Sequence, residues 1–250
     1  MNKNYTFLVD NIKINLNIVE NCKKYGVKRL INILSTCIFP DKDVTYPLTS
    51  EQLHNGLPHN SNIGYAYSKR VLHLASKLLV ESGCKETDFQ VVNLTPTNLY
   101  GEYDNYELIN SHVIPGLIHK TYLSNQSSTK KITLFGSGNA KRQFLYVDDL
   151  SRVILEFLTL KLESNEISCI VSPPESDEIK IKDLLNKICN IFNYTGEIVS
   201  DTSYSDGQYR KTSNNDELKK YLKDFKFTSL DDGLKNTITF FIENYNIVRK

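Results

Sequence analysis

Apolar and polar positions alternate in blocks that switch repeatedly between helical and strand periods. Leu8, Ile12, Leu16 and Val19 recur at helical spacing, and Gly26 follows as a C-terminal stop. Val27 to Leu34 is a short, nearly continuous apolar run, the pattern of a strand buried on both faces of a parallel sheet. Tyr65 to Ser82 reads as a strong helix with Val71, Leu72, Ala75, Leu78 and Leu79 as its apolar stripe. A strand over Phe89 to Leu94 is stopped by Pro96. Further on, the pattern predicts helices at His112 to Tyr122, Asp148 to Leu160, Ile181 to Phe192, Asn215 to Leu222 and Leu230 to Tyr245. Strands are predicted at Lys131 to Phe135 and Ile167 to Val171. This alternation predicts an α/β fold with a mostly parallel sheet. Asp41 to Asn62 is a long connection of the kind that carries function, and Ser124 to Thr129 reads as a surface loop.

Composition narrows the class. The 250 residues suit one large domain or two small ones, and 40% hydrophobic with 24% charged residues is an ordinary globular balance. A net charge of +1 leaves nothing to drive nucleic-acid binding, and Lys130-Lys131 reads as a solvated strand edge. The five cysteines (Cys22, Cys37, Cys84, Cys169 and Cys189) are odd in number, widely spaced and without a C-x-x-C pair. They are expected as reduced thiols of a cytoplasmic protein, with no metal site. Neither a secretory leader nor a membrane span is visible.

The first chemical signal is Tyr65-Ala-Tyr-Ser-Lys69, where a Tyr and a Lys four apart share one helix face. A phenol near pKa 10 is a poor proton shuttle, and bringing it to ~7 takes roughly 4 kcal/mol. A neighbouring ammonium is a direct way to supply much of that, so Lys69 is expected to hold the Tyr65 pKa down. The strand before this helix ends in Ser35-Thr36-Cys37. Parallel sheets place their ligands at that end, and a hydroxyl there can stabilise a carbonyl gaining negative charge. Ser35, Tyr65 and Lys69 together resemble the triad of the short-chain dehydrogenase/reductases.

The likeness extends through the chain. Ser35-Thr-Cys-Ile-Phe-Pro40, Pro96-Thr-Asn-Leu-Tyr-Gly101 and Asn110-Ser-His112-Val-Ile-Pro115 resemble, in order, segments of the GDP-L-fucose synthases. So do Gly136-Ser-Gly138 with Arg142-Gln-Phe-Leu, and Asp206-Gly207 followed by Arg210-Lys211. The resemblance implies an extended short-chain dehydrogenase/reductase: a doubly wound parallel sheet with a smaller substrate-binding domain. It implies epimerisation of GDP-4-keto-6-deoxy-D-mannose at C3 and C5, then reduction of the 4-keto group by NADPH. Epimerisation beside a ketone needs an acid and a base, and Cys37 and His112 occupy the family's positions for that pair, either one serving as base. Lys69, Pro96, Thr97, Asn98, Leu99 and His112 would meet the NADP(H) cofactor. Lys120, Phe135, Arg142, Asp206 and Lys211 would face the nucleotide-sugar, with Phe135 standing where many members carry Trp. Helices near 11–24 and 65–82 would form a homodimer.

One departure qualifies this. The chain has 11 glycines but no G-x-x-G-x-x-G or G-x-G-x-x-G turn, the element that would meet the cofactor pyrophosphate. Gly136-x-Gly138 precedes no fitting helix and belongs to the substrate side. The reading is of an N-terminally truncated member: residues 1–105 a remnant of the NADP-binding domain, and 106–250 mainly substrate-binding, with a strand near 167–171 returning to the sheet. Weak NADPH affinity and an exposed apolar sheet edge are expected from it. Three functions stay open: the full epimerase/reductase, a catalytically dead nucleotide-sugar-binding or dimerisation module, and a related 4-keto reductase or epimerase. Cys37 and His112 argue against the last.

Overall fold

The computed structural model describes residues 3–82 and 89–250, so Cys84 lies outside the described residues. In chain order the elements are α1 (Asn4–Lys24), β1 (Arg29–Ile33), α2 (Ile63–Glu81), β2 (Gln90–Pro96), β3 (Asn98–Tyr100), α3 (Val113–Gln126), β4 (Lys131–Phe135) and β5 (Lys141–Arg142). They continue as β6 (Phe144–Tyr146), α4 (Val147–Thr159), β7 (Glu166–Val171), β8 (Ile179–Lys180), α5 (Ile181–Ile191), β9 (Glu197–Asp201), α6 (Asp216–Tyr221) and α7 (Leu230–Glu243). The chain divides into two units. The first comprises Met1–Thr97, Leu150–Ser172 and Ser213–Phe225, and the second Asn98–Asp149, Pro173–Thr212 and Lys226–Lys250.

In the first unit β1, β2 and β7 form a parallel sheet in that order. β2 is central and buried from Val91 onward, as its Val91, Val92 and Leu94 require. It runs through Pro96, which pairs with Val171, rather than stopping before it. β1 corrects the expectation of a strand buried on both faces. Among the described residues it pairs on one side alone, and Asn32 is its one buried residue. Asn32 lies in register with Asn93 of β2, and Asn93 with Ser168 of β7. This polar row is satisfied internally: Asn32 Nδ2 donates to Asn93 Oδ1 at 2.9 Å, and the Ser168 hydroxyl donates to Glu166 Oε1 at 2.7 Å.

The row explains why the stripe expected on α2 was misplaced. Of Val71, Leu72, Ala75, Leu78 and Leu79, only Leu72 is buried, and Leu78 is 51% exposed. The helix turns His73 and Ser76 to the sheet, where they meet Ser168 Oγ (3.1 Å) and Asn93 Oδ1 (3.4 Å). A polar row on the sheet selects polar partners from the helix, so hydrophobic periodicity alone picks the wrong face. α1 lies against the same helix. Asn15 Nδ2 donates to the Ser68 carbonyl at 3.3 Å, and the Gly64 N–H donates to Asn4 Oδ1 at 3.2 Å. A Cβ on Gly64 would stand 1.9 Å from the Asn4 carbonyl oxygen, so no side chain fits there.

The second unit holds parallel pairs β3–β6 and β4–β9 and an antiparallel pair β5–β8. β4 alternates as a one-sided strand: Ile132 and Leu134 are buried, Lys131 and Phe135 exposed. They join Tyr106, Ile118, Leu184, Ile188 and Phe241 in one apolar cluster. α3 runs four residues past the expected end, so Ser124 to Gln126 are helical and only the remainder of the expected loop is a turn.

Candidate active site

The first unit assembles four of the expected residues. Leu34 closes β1 by donating its N–H to the Leu94 carbonyl at 2.7 Å, and the chain then leaves the sheet at Ser35. Ser35 caps a 3-10 turn over Thr36–Ile38, its Oγ accepting the Cys37 N–H at 3.2 Å. Tyr65 and Lys69 project together from α2. The Ser35 hydroxyl lies near enough to the Tyr65 phenol to favour its ionised form. One serine thus neighbours both the phenol and the backbone that presents the Cys37 thiol.

The electrostatics differ from the expected arrangement. Burial pushes the Tyr65 pKa up, the nearby Cys37 sulfur adds to that, and only the Ser35 hydroxyl pulls it down. Lys69 does not lower it. Its Nζ donates to the Ile33 carbonyl at 2.8 Å and stands 5.8 Å from the Tyr65 ring centroid, and burial lowers its own pKa. A buried phenol facing a sulfur pays more for charge than an ammonium at that separation returns. Next to Lys69, Arg70 braces the long connection: Nε donates to the Ile38 carbonyl (2.8 Å) and Nη1 to the Gly56 carbonyl (2.7 Å).

The segment expected along the cofactor crosses from one unit to the other. Pro96 and Thr97 end the first portion of unit one, and Asn98 and Leu99 open unit two. The Thr97 N–H donates to the Val171 carbonyl at 3.1 Å, while its buried hydroxyl has no hydrogen-bond partner among the described residues. Buried hydroxyls are rarely left so, and a ligand group is a common remedy. Asn98 Nδ2 donates to the Gln143 carbonyl at 2.9 Å, and Leu99 is half-buried in β3.

In the second unit His112 stands at the N-terminus of α3 without capping it through its side chain. Its ring is 82% exposed and places Nδ1 3.7 Å from Asp104 Oδ1. That neighbouring carboxylate raises the His112 pKa, against the lowering effect of burial.

Lys120, Phe135, Arg142 and Asp206 gather around the loop after β4. Lys120 Nζ lies 3.7 Å from the Phe135 ring centroid, and burial lowers its pKa. The Phe135 ring also stacks on Tyr204, with centroids 4.3 Å apart and planes at 26°. The ring expected to meet a base therefore already has an aromatic and a cationic neighbour. Asp206 is likewise engaged. Oδ1 accepts the Ser137 N–H and Oδ2 the Ser137 hydroxyl, both at 2.6 Å. Those bonds, with smaller contributions from the Gly138 N–H and Arg142, hold its pKa below the usual carboxylate value. Gly136 (φ +81°) makes this possible, because a Cβ there would sit 2.3 Å from Asp206 Oδ1. Arg142 donates from Nη2 to the Gln208 carbonyl at 2.6 Å, and Lys211 is half-buried three residues further along.

Sequence reasoning missed Asp104, Tyr204 and Glu178. Asp104 and Tyr204 lie in irregular segments, where no period relates them to His112 or Phe135.

Residues 1–169 match the NAD-dependent epimerase/dehydratase family. The chain is 42% identical over 245 residues to the GDP-L-fucose synthase of Dictyostelium discoideum, covering 98% of this chain and 74% of that protein. It is 37% identical to the probable GDP-L-fucose synthase of Drosophila melanogaster, over all of this chain and 78% of that one. A crystal structure of a Naegleria fowleri GDP-L-fucose synthetase bound to NADP superposes with a TM-score of 0.93 at 39% identity, covering 100% of this chain and 77% of that one. The chain belongs to the NAD-dependent epimerase/dehydratase family, with the α/β architecture of the extended short-chain dehydrogenase/reductases. Within that family its likeness is to the GDP-L-fucose synthases, of whose length it spans about three quarters.

Proposed function

We propose that the chain acts in the conversion of GDP-4-keto-6-deoxy-D-mannose to GDP-L-fucose, by epimerisation at C3 and C5 and reduction of the 4-keto group. The observation that carries this reading is the grouping of Ser35, Cys37 and Tyr65, a carbonyl-polarising hydroxyl and a proton-donating phenol beside a thiol. A reductase needs the first two; the thiol has a use when protons beside the ketone are also exchanged.

The directions of the Tyr65 and His112 shifts support a division of labour. Tyr65 stays protonated at neutral pH and is ready to give its proton to the C4 oxygen. His112, raised by Asp104, favours the imidazolium and suits the acid that returns a proton to carbon. Cys37 is then the base that removes one, and Ser35 holds the ketone oxygen while charge gathers on it.

A bound NADPH supplies the hydride to C4. In the first unit Lys69, Pro96 and Thr97 would meet its nicotinamide side, Thr97 with a buried hydroxyl that has no partner among the described residues, and in the second unit Asn98, Leu99 and His112 are the residues expected to do so. On the substrate side Lys120, Arg142 and Lys211 suit a diphosphate, Phe135 a guanine ring, and Asp206 a sugar or ribose hydroxyl. Among the described residues Cys22, Cys37, Cys169 and Cys189 form no disulfide, in accord with a reducing compartment such as the cytoplasm. No helix among the described residues is long and apolar enough to cross a membrane. Exposed Phe7, Ile14 and Ile18 on α1 and Leu74 and Leu78 on α2 suit packing against a second copy.

Two variants test the division of roles. Tyr65→Phe should abolish reduction and leave hydrogen exchange at C3 and C5, whereas Cys37→Ser should abolish exchange and leave reduction of the already epimerised ketone. Equal loss of both steps in both variants would contradict it.

A further inference from the structure

Glu178 follows a 3-10 turn over Glu175–Asp177 and leads into β8. Its side chain is only 8% exposed. Oε2 faces Lys141 Nζ at 3.4 Å, while Oε1 accepts from Arg210 Nε at 2.8 Å and from the Thr212 hydroxyl. A carboxylate so withdrawn from water is stable only when paired and hydrogen-bonded, and it is bonded here to two cations from separate segments.

Those cations are sequence neighbours of the residues assigned to the diphosphate: Lys141 precedes Arg142, and Arg210 precedes Lys211. The segments are also tied through the backbone. The Lys141 N–H donates to the Tyr209 carbonyl at 2.9 Å, and Arg142 Nη2 reaches the Gln208 carbonyl at 2.6 Å. On a strand, successive side chains point to opposite faces, so Lys141 turned to Glu178 fixes Arg142 on the other face of β5. Buried ion pairs contribute register more dependably than net stability.

We infer that Glu178 is a positioning residue for the nucleotide-sugar diphosphate: by gripping Lys141 and Arg210 it locks β5 and residues 208–212 in one register and so fixes Arg142 and Lys211. This rests on the assignment of those two residues to the diphosphate given above.

The effect of neutralising Glu178 separates register from charge. Removing a negative group near a diphosphate site should, by Coulomb attraction alone, tighten anion binding. Loss of register should loosen it. The test is calorimetric titration of the full chain and of Glu178→Gln with GDP and with guanosine. The expected result is a loss of about tenfold in GDP affinity, about 1.4 kcal/mol, with guanosine affinity held within about twofold. Glu178→Asp, which keeps the charge, should recover part of the loss. A Gln variant that binds GDP as tightly as the parent or more tightly would overturn the inference, as would a parallel loss of guanosine. If Glu178→Gln does not fold, Thr212→Val carries the same test without changing the charge, because it removes one hydrogen bond to Glu178 and keeps both cations. Unchanged GDP affinity there is equally contrary. A parent chain that takes up guanosine but gains nothing from the diphosphate contradicts the assignment of Arg142 and Lys211 itself.

Discussion

In the proposed reaction the chemistry turns on Tyr65, Cys37 and His112, whose types and spacing were legible in the chain. The proton affinities of Tyr65 and His112 were not, because each depends on a neighbour supplied by the fold. Lys69 was expected to tune Tyr65, yet it is committed to the Ile33 carbonyl, and burial with the Cys37 sulfur decides the phenol instead. His112 is set by Asp104, which no motif marks. This gives a direct prediction. A histidine-resolved NMR titration should show His112 titrating above the ordinary imidazole value near 6.5. Asp104→Asn should bring it back toward that value. The sign follows from the shift: the contact stabilises the fold fully below about 6.5 and is lost as pH rises through the raised value. No change in the Asn variant would remove Asp104 from the account.

Among the elements, β4 was legible to the residue because its first four positions alternate polar and apolar, and the bounds of α4, α5, α6 and α7 fell within two residues of expectation. β3, β5, β6 and β8 were not legible, since strands of two or three residues are too short to show a period. α2 was found, but its facing was misjudged. The polar row Asn32, Asn93 and Ser168 draws His73 and Ser76 inward, with His54 Nε2 3.1 Å from His73 Nδ1. Burial first, then the neighbouring His54, pulls the His73 pKa down to about 4; Glu166 opposes this and Lys77 adds to it. An unfolded histidine near 6.5 takes up its proton first, so stability should fall as pH drops from about 6.5 to about 4, by about 3 kcal/mol. Urea denaturation across that range should show the loss, and His73→Gln, which cannot titrate, should flatten it. An equal acid slope in the variant would assign the sensitivity to other groups.

For the whole molecule, the α/β class and the parallel sheet β1–β2–β7 followed from the alternation of patterns. The division into units did not, because it falls at Thr97–Asn98, inside a continuous motif, and because Leu150–Ser172 and Ser213–Phe225 belong with the first unit. A returning strand near 167–171 was expected, whereas no local signal marks the return of Ser213–Phe225. Assembly belongs to this scale as well. The chain should sediment as a dimer at micromolar concentration, and Leu78→Glu, which puts charge on an exposed apolar face of α2, should shift it to monomer. A monomeric parent would contradict the proposed packing. The central claim is that this one chain carries proton exchange beside a ketone as well as the groups for its reduction. Exchange needs no reductant, so it can be followed alone. GDP-4-keto-6-deoxy-D-mannose incubated with the chain in D2O without NADPH should take up deuterium at C3 and C5, detected by mass spectrometry and NMR, and should do so no faster than background with Cys37→Ser. No uptake by the parent chain, or equal uptake by the variant, would contradict the account.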